Sequence, residues 1–212
     1  QLEDVVFSGL QAETAGPALA KLEFKSLLER LSFSGEVGSA GVGVEEAVAD
    51  VTVLDEQRIS ELVEVLNNVD VLHVETHGDN PHHAEIVGLI FAATGRQFFM
   101  TLEVLQSDAA TPIREWLADP ERKKRGHDLH RTDLALHWHG IEFAGAEFDV
   151  QLAGYLLDPT DANQTLSGLA AKYGLSSIRP DDEVFGKGAK YKVPDVDVLS
   201  DHVARKAAVI EA

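Results

Sequence analysis

The sequence contains no cysteine, one methionine and no apolar run that approaches the length of a bilayer-spanning helix. Disulfide frameworks, thiolate zinc sites and cysteine nucleophiles are therefore excluded. The first residues, Gln1–Asp4, are acidic where a signal peptide would be basic, so we expect a cytoplasmic protein with no membrane partner. Basic residues are also scarce, since 18 Lys and Arg face 36 Asp and Glu, for a formal charge of −18. This balance argues against a general polyanion binder, because neutralising phosphates needs a local excess of Lys and Arg.

The 212 residues are enough for one domain with an appendage. Residues 1–31 are predicted to be a helical appendage, because an amphipathic helix pattern follows Pro17. Residues 32–50 are rich in small side chains and are predicted to be a flexible linker. Residues 51–212 are predicted to form a compact α/β unit. The apolar stripe of the appendage helix consists of Leu19, Leu22, Phe24, Leu27, Leu28 and Leu31.

Strands and helices alternate in the predicted α/β unit. Strands are predicted at residues 51–54, 69–76, 85–93, 97–101 and 122–127. Helices are predicted at residues 55–66, 112–118, 129–138, 148–157, 165–173 and 196–212. The nearly continuous apolar run at 85–93 indicates a central strand, and Gly95 indicates a hairpin turn after it.

Two imidazoles and a carboxylate form the first candidate site. His73, Glu75 and His77 fall on one face of a predicted strand, because side chains alternate with period two. Such a set could ligate Zn²⁺ or another transition metal. The plainer interpretation is a polar strand end that runs into a His-rich loop. We favour it because no HExxH-type signature accompanies the three residues.

Three further clusters have plain interpretations that we also favour. His127 and His130, together with His137 and His139, are expected to face solvent. The basic run at 121–125 could touch phosphate, but a solvated edge strand guarded by charge is the better interpretation. The glycine loop at 186–192 could hold an anion, yet it lacks the GxxxxGK[ST] pattern and is expected to be a mobile surface loop.

Four stretches together resemble a known family. Their order and spacing match the 3′–5′ exonuclease-like domain of bacterial family A DNA polymerases, preceded by the end of the 5′-nuclease region. The stretches are Leu22–Leu31, Ile86–Ala92, Gly140–Pro159 and Arg179–Lys190. The resemblance implies an RNase H-like (DnaQ-like) 3′–5′ exonuclease fold, with a mixed sheet flanked by helices. It also implies a Mg²⁺-dependent polymerase domain after residue 212, which would be this domain's partner and would engage DNA in replication and repair.

Active members of this family hold two metal ions with four carboxylates. The resemblance places those four positions at His73, Glu75, Thr132 and Lys206, and a motif tyrosine at His202. Only Glu75 keeps a carboxylate, and Lys206 is expected to pair with it. The pattern is similar to that of the Bacillus-type members, whose domain is a proofreading-deficient scaffold. We therefore expect no catalytic residue, no metal or other cofactor in this fragment, and weak or no DNA binding by it alone.

One alternative hypothesis is that the domain is an active enzyme. Asp133 follows Thr132 directly, and a rearranged site built from Glu75, Asp133 and His73 would make the domain an active 3′–5′ exonuclease. We do not favour it, because one residue step turns a side chain by about 100° around a helix, away from the metal-facing side.

Overall fold

A computed structural model describes residues 50–212, apart from residues 79, 94, 176 and 177. The predicted helical appendage and nearly all of the predicted linker lie outside these residues. The described part contains a six-stranded sheet in the order β1-β4-β3-β2-β5-β6. The strands are β1 (Val51–Val53), β2 (Val71–His77), β3 (Glu85–Ala93), β4 (Arg96–Met100), β5 (Lys124–Gly126) and β6 (Ala146–Asp149).

The sheet is mixed, as the resemblance implied. Strands β2, β3 and β4 pair antiparallel, whereas β1 pairs with β4, and β5 pairs with both β2 and β6, in parallel. The central place of β3 agrees with its continuous apolar run. Gly95, at φ +79°, lies in the turn between β3 and β4, so the predicted hairpin is confirmed.

Helices follow the strands along the chain. They are α1 (Ile59–Val63), α2 (Leu102–Gln106), α3 (Thr111–Ala118), α4 (Leu129–Trp138), α5 (Val150–Leu157), α6 (Leu166–Tyr173), α7 (Asp181–Val184) and α8 (Val196–Glu211). Short 3₁₀ turns lie at Leu66–Asn68, Pro81–His83, Asp108–Ala110 and Gly188–Lys190. No helix in the described ranges is both long and apolar enough to cross a bilayer.

Both faces of the sheet are buried under apolar side chains. On one face, Leu89 and Phe91 of β3 pack in a cluster with Trp116 of α3. On the other face, Ile90 and Ala92 of the same strand pack against α8. The period-two alternation of a strand sends neighbouring residues to these two layers. Helix α8 therefore covers one face of the sheet, and every second side chain of β2 points to that face.

The predicted helix at 55–66 is shorter in the structure. The carboxylate of Asp55, the first residue of the predicted helix, accepts hydrogen bonds from the amides of Gln57 and Arg58 at 2.9 and 3.0 Å. These bonds hold a turn, and α1 begins only at Ile59. The local side-chain bonds of an aspartate compete with helix formation and delay its start.

The basic run 121–125 is not a solvated edge strand, and that prediction was wrong. Strand β5 lies between β2 and β6, and Lys124 is fully buried. Its ammonium donates to the carbonyls of Asp119 and Arg122 at 3.1 and 2.7 Å. The edge is formed instead by β6, which was missed because its four residues run directly into α5. Asp149 joins the two elements and accepts a bond from the amide of Gln151 at 2.9 Å.

Candidate functional site

The site begins on β2, where two polar residues interrupt an apolar strand. His73 and Glu75 are each 7% exposed, and they share the face that α8 covers. The residues between and before them, Val74 and Leu72, pack in the opposite layer. The Nε2 atom of His73 lies 3.1 Å from Oε2 of Glu75. Because a carboxylate only accepts, Nε2 is the donor in this bond.

Helix α8 brings two further polar residues to the same place. His202 and Lys206 are spaced i and i+4, so they lie on one face of the helix, and both are buried. The Lys206 ammonium donates to Oε2 of Glu75 at 2.7 Å. The direct contact between Glu75 and Lys206 that the sequence led us to expect is therefore present.

A second carboxylate, which sequence reasoning missed, completes the cluster. Asp181 at the start of α7 places Oδ1 2.6 Å from the Lys206 ammonium and 2.8 Å from Nε2 of His202. Glu75 and Lys206 alone would sum to zero. With Asp181 the cluster carries −1 when both imidazoles are neutral, two carboxylates against one ammonium. The expected neutral centre is thus corrected to a slightly acidic one.

We call His73, Glu75, Asp181, His202 and Lys206 the ion cluster. Burial alone would raise the pKa of Glu75, but the Lys206 ammonium and the bond from His73 outweigh it and lower that pKa to about 2. Burial likewise opposes ionisation of Asp181, yet His202 and Lys206 hold its pKa well below the usual range. Burial lowers and the two carboxylates raise the pKa of Lys206, and the net result is a raised value. The two carboxylates and the ammonium of the cluster are therefore ionised at neutral pH.

Of the remaining predicted positions, Thr132 lies close to the ion cluster and Asp133 lies away from it. Thr132 of α4 is buried and lines the same cavity as Glu75 and Lys206. Asp133 is exposed and lines a different groove, beside Phe148. The one-residue rotation that we expected around α4 is thus present, and the rearranged set of Glu75, Asp133 and His73 is not brought together.

His77 also stands apart from the ion cluster. Its ring is exposed and stacks on Tyr191, with ring centroids 3.4 Å apart and planes at 12°. Within the described ranges no group of three or more His, Asp or Glu side chains is arranged to hold a metal ion. The geometry therefore does not favour the metal site of His73, Glu75 and His77.

A cavity of about 180 Å³ opens beside the ion cluster. Arg131 lines it and is held by the hydroxyl of Thr76 at 2.6 Å and by the carbonyl of Gly78. Nε2 of His127 lies 2.7 Å from the carbonyl oxygen of Gln164 on another side. The Nδ1 atoms of His73 and His202 are buried without a hydrogen-bond partner.

His127 lines this cavity and is half-buried, and His139 is half-buried too, so the predicted solvent exposure of these two residues was wrong. His130 and His137 are exposed, as expected, and lie outside the cavity. In the glycine loop, the Lys187 ammonium pairs with Asp182 at 2.7 Å, and both side chains are exposed. These groups have the character of a solvated surface.

The sequence matches a named family and several curated relatives. The family described as DNA polymerase I, ribonuclease H-like domain, matches residues 72–212. DNA polymerase I of Geobacillus stearothermophilus is 37% identical over 212 residues, which is 100% of this chain and 23% of the relative. DNA polymerase I of Bacillus subtilis (strain 168) is 35% identical over 207 residues, 97% of this chain and 22% of the relative. The chain spans less than a quarter of the length of these relatives.

Solved structures share the fold at low identity. The POL domain of Pol1 from M. smegmatis, in complex with DNA primer-template and dNTP, matches with a TM-score of 0.58 and 19% identity, covering 76% of this chain and 25% of that one. Trypanosoma brucei RNase D in complex with RNA U12 matches with a TM-score of 0.59 and 15% identity, covering 76% and 61%. These likenesses confirm the RNase H-like exonuclease fold. Because the family match covers residues 72–212 and the sequence relatives agree with it, the chain belongs to the family of the DNA polymerase I ribonuclease H-like domain.

Proposed function

We propose that this chain is a non-catalytic, exonuclease-like domain that supports the polymerase part of a DNA polymerase I. One observation carries the proposal: the Lys206 ammonium lies between the carboxylates of Glu75 and Asp181, at 2.7 and 2.6 Å. Both distances are those of charge-assisted hydrogen bonds. The protein thus supplies its own cation to these carboxylates.

The donor set does not fit the two metal ions that the fold family implies. A divalent cation near Glu75 would meet the buried ammonium of Lys206, and position 132, where the resemblance implies a carboxylate, holds a threonine with no negative charge. With a net charge of −1, the ion cluster gives little compensation for two divalent charges. We therefore derive no hydrolytic step for this chain.

The wider role rests on the relatives. The polymerase part of the same chain would be the partner of this domain and would carry template-directed nucleotidyl transfer with Mg²⁺, in DNA replication and repair. DNA would be bound through that part, and the net charge of −18 supports weak or no binding by this fragment alone. Accordingly, the expected contribution of this domain is mechanical support.

Degradation of single-stranded DNA tests the proposal. The 212-residue chain is incubated with a 5′-labelled oligonucleotide and Mg²⁺ or Mn²⁺, beside the Glu75→Ala and Asp133→Asn variants. We expect no shortening above the level of Glu75→Ala. Metal-dependent shortening that Glu75→Ala abolishes would overturn the proposal. If Asp133→Asn also abolished that shortening, the rearranged exonuclease would be the correct alternative.

A further inference from the structure

Helix α5 has an apolar outer face that no described residue covers. Four of its eight side chains are strongly exposed: Leu152 at 60%, Tyr155 at 54%, Leu156 at 80% and Leu157 at 72%. We call these four residues the α5 face. Phe148 of the neighbouring edge strand β6 is also exposed, at 47%, and extends the apolar surface. An exposed apolar patch of this kind marks an interaction site more often than a random surface.

The inner side of α5 gives the helix little support. Gly154 is its one buried residue, and a Cβ there would collide with Leu169 of α6 and with Gln164. A helix of eight residues is marginal in water without tertiary packing. Its amino end is fixed by Asp149, but its outer apolar side chains add nothing to stability while they remain in water. A partner on the outer side would bury these side chains and add to the stability of the helix.

The composition of α5 points to an apolar partner. No charged residue occurs between Val150 and Leu157, in a chain in which a quarter of the residues are charged. Acidic residues lie just outside, with Glu147 before the helix and Asp158 after it. An apolar centre with a charged rim is the usual arrangement of a protein interface.

The size of the face argues for a partner in the same polypeptide. A stable complex of separate chains takes about 20–30 residues a side, far more than the α5 face and Phe148 supply. A tethered partner needs less, because a short covalent link gives an effective concentration in the millimolar range. The curated relatives match this chain over 22–23% of their length, so each carries this domain within a chain about four times as long.

We infer that the α5 face is the surface on which the rest of the DNA polymerase I chain docks. The inference deepens the proposed support role and rests on it. The occupant is an apolar surface of the polypeptide outside residues 1–212. A support domain that holds the polymerase part in place would use this contact.

Nitration of Tyr155 tests the inference directly. The rate is measured by mass spectrometry in the 212-residue chain and in the full-length polymerase, with a free tyrosine peptide added to both as the reagent standard. We expect rapid nitration in the 212-residue chain and a rate about tenfold lower in the full-length chain, because a packed interface excludes solvent. Equal rates would overturn the inference. Slow nitration already in the 212-residue chain would also overturn it, since residues 1–49, or a second copy if slowing depends on concentration, would then be the occupant.

A pair of variants in the full-length chain makes the test specific. Leu156→Glu combined with Leu157→Glu should restore rapid nitration of Tyr155, because two carboxylates cannot enter an apolar interface without a large desolvation cost. Val198→Glu alters a comparable exposed apolar residue on α8 and should leave Tyr155 protected. Protection that survives the double variant would contradict the inference. The result is independent of the nuclease assay: a metal-dependent nuclease with a protected Tyr155 would refute the non-catalytic role alone.

Discussion

The two buried lysines of this domain, on opposite faces of the sheet, have opposite electrostatic environments. Lys206 contacts two carboxylates, and its pKa is raised. Lys124 has two backbone carbonyls as acceptors and lies over the ring of Trp116, with Nζ 4.4 Å from the ring centroid. Burial is the main cause that lowers the pKa of Lys124 to about 8, although Asp119 partly opposes it.

The two lysines distinguish the effect of burial on a lysine pKa from the effect of pairing with a carboxylate. Loss of water disfavours the ammonium at both sites, since the charged form is better solvated than the neutral one. Only the carboxylates of Glu75 and Asp181 reverse the sign for Lys206. One lysine is therefore a fixed cation, whereas the other can lose its proton at mildly alkaline pH.

The largest expected effect comes from removing the fixed cation. Lys206→Met keeps most of the side-chain volume but leaves buried Glu75 without its main counter-charge. We expect the free energy of unfolding to fall by about 3–5 kcal/mol, as for other buried pairs that lose one partner. Urea unfolding followed by circular dichroism measures the change.

The matched control for that variant is Lys187→Met. Lys187 pairs with Asp182 at 2.7 Å, but both side chains are exposed to water, so we expect no measurable change in the free energy of unfolding. Equal losses for Lys187→Met and Lys206→Met would show that burial does not distinguish the two pairs. The prediction that the ion cluster contributes more to stability than an exposed pair would then be wrong.

A smaller loss is expected at the other buried lysine. Lys124→Met leaves the carbonyls of Asp119 and Arg122 without their donor, and an unsatisfied buried acceptor costs about 1–3 kcal/mol. No buried carboxylate is stranded, so the loss should be smaller than for Lys206→Met in the same urea experiment. A larger loss of unfolding free energy for Lys124→Met than for Lys206→Met would contradict this expectation.

The last expected difference is in alkaline pH dependence. Lys124 has a folded pKa of about 8 and an unfolded one near 10.4, so between these values the unfolded chain binds more protons and stability rises with pH. This contribution has a slope of at most about 1.4 kcal/mol per pH unit. Lys206, with its raised pKa, gives the opposite sign: its contribution is present below about 10.4 and is lost as pH rises through its folded pKa.

Urea titrations between pH 7.5 and 11 separate the two lysines. The difference in stability between the wild-type chain and Lys124→Met should change below about pH 10.4, and the difference for Lys206→Met should change above it. Identical pH dependence of the two variants would contradict the assignment of opposite shifts.

The site residues that were predicted correctly from the sequence lie on long strands and helices. Glu75 on β2 and Lys206 on α8 were placed through the resemblance, and their contact is present. The rotation of Asp133 away from Thr132 followed from helix geometry alone. Helix periodicity was thus enough for Asp133, whereas the contact between Glu75 and Lys206 depended on the resemblance.

The missed features depend on contacts between distant segments. Asp181 lies in a four-residue helix that the sequence pattern did not predict, and only folding brings it to Lys206. Strand β5 has three residues, and its lysine and arginine favoured a solvated edge. The carbonyls that receive Lys124 belong to the turn before the strand, which no periodic pattern indicates.

The position of Lys206 also has an evolutionary consequence. A single Lys206→Asp change would put a third carboxylate beside Glu75 and Asp181 with no cation among them, and like charges at this distance repel strongly. The intermediate would be less stable than the present protein before it gained any ligand geometry. A carboxylate at this position would therefore lower stability before it could help to bind a cation, because the ammonium now compensates the two carboxylates.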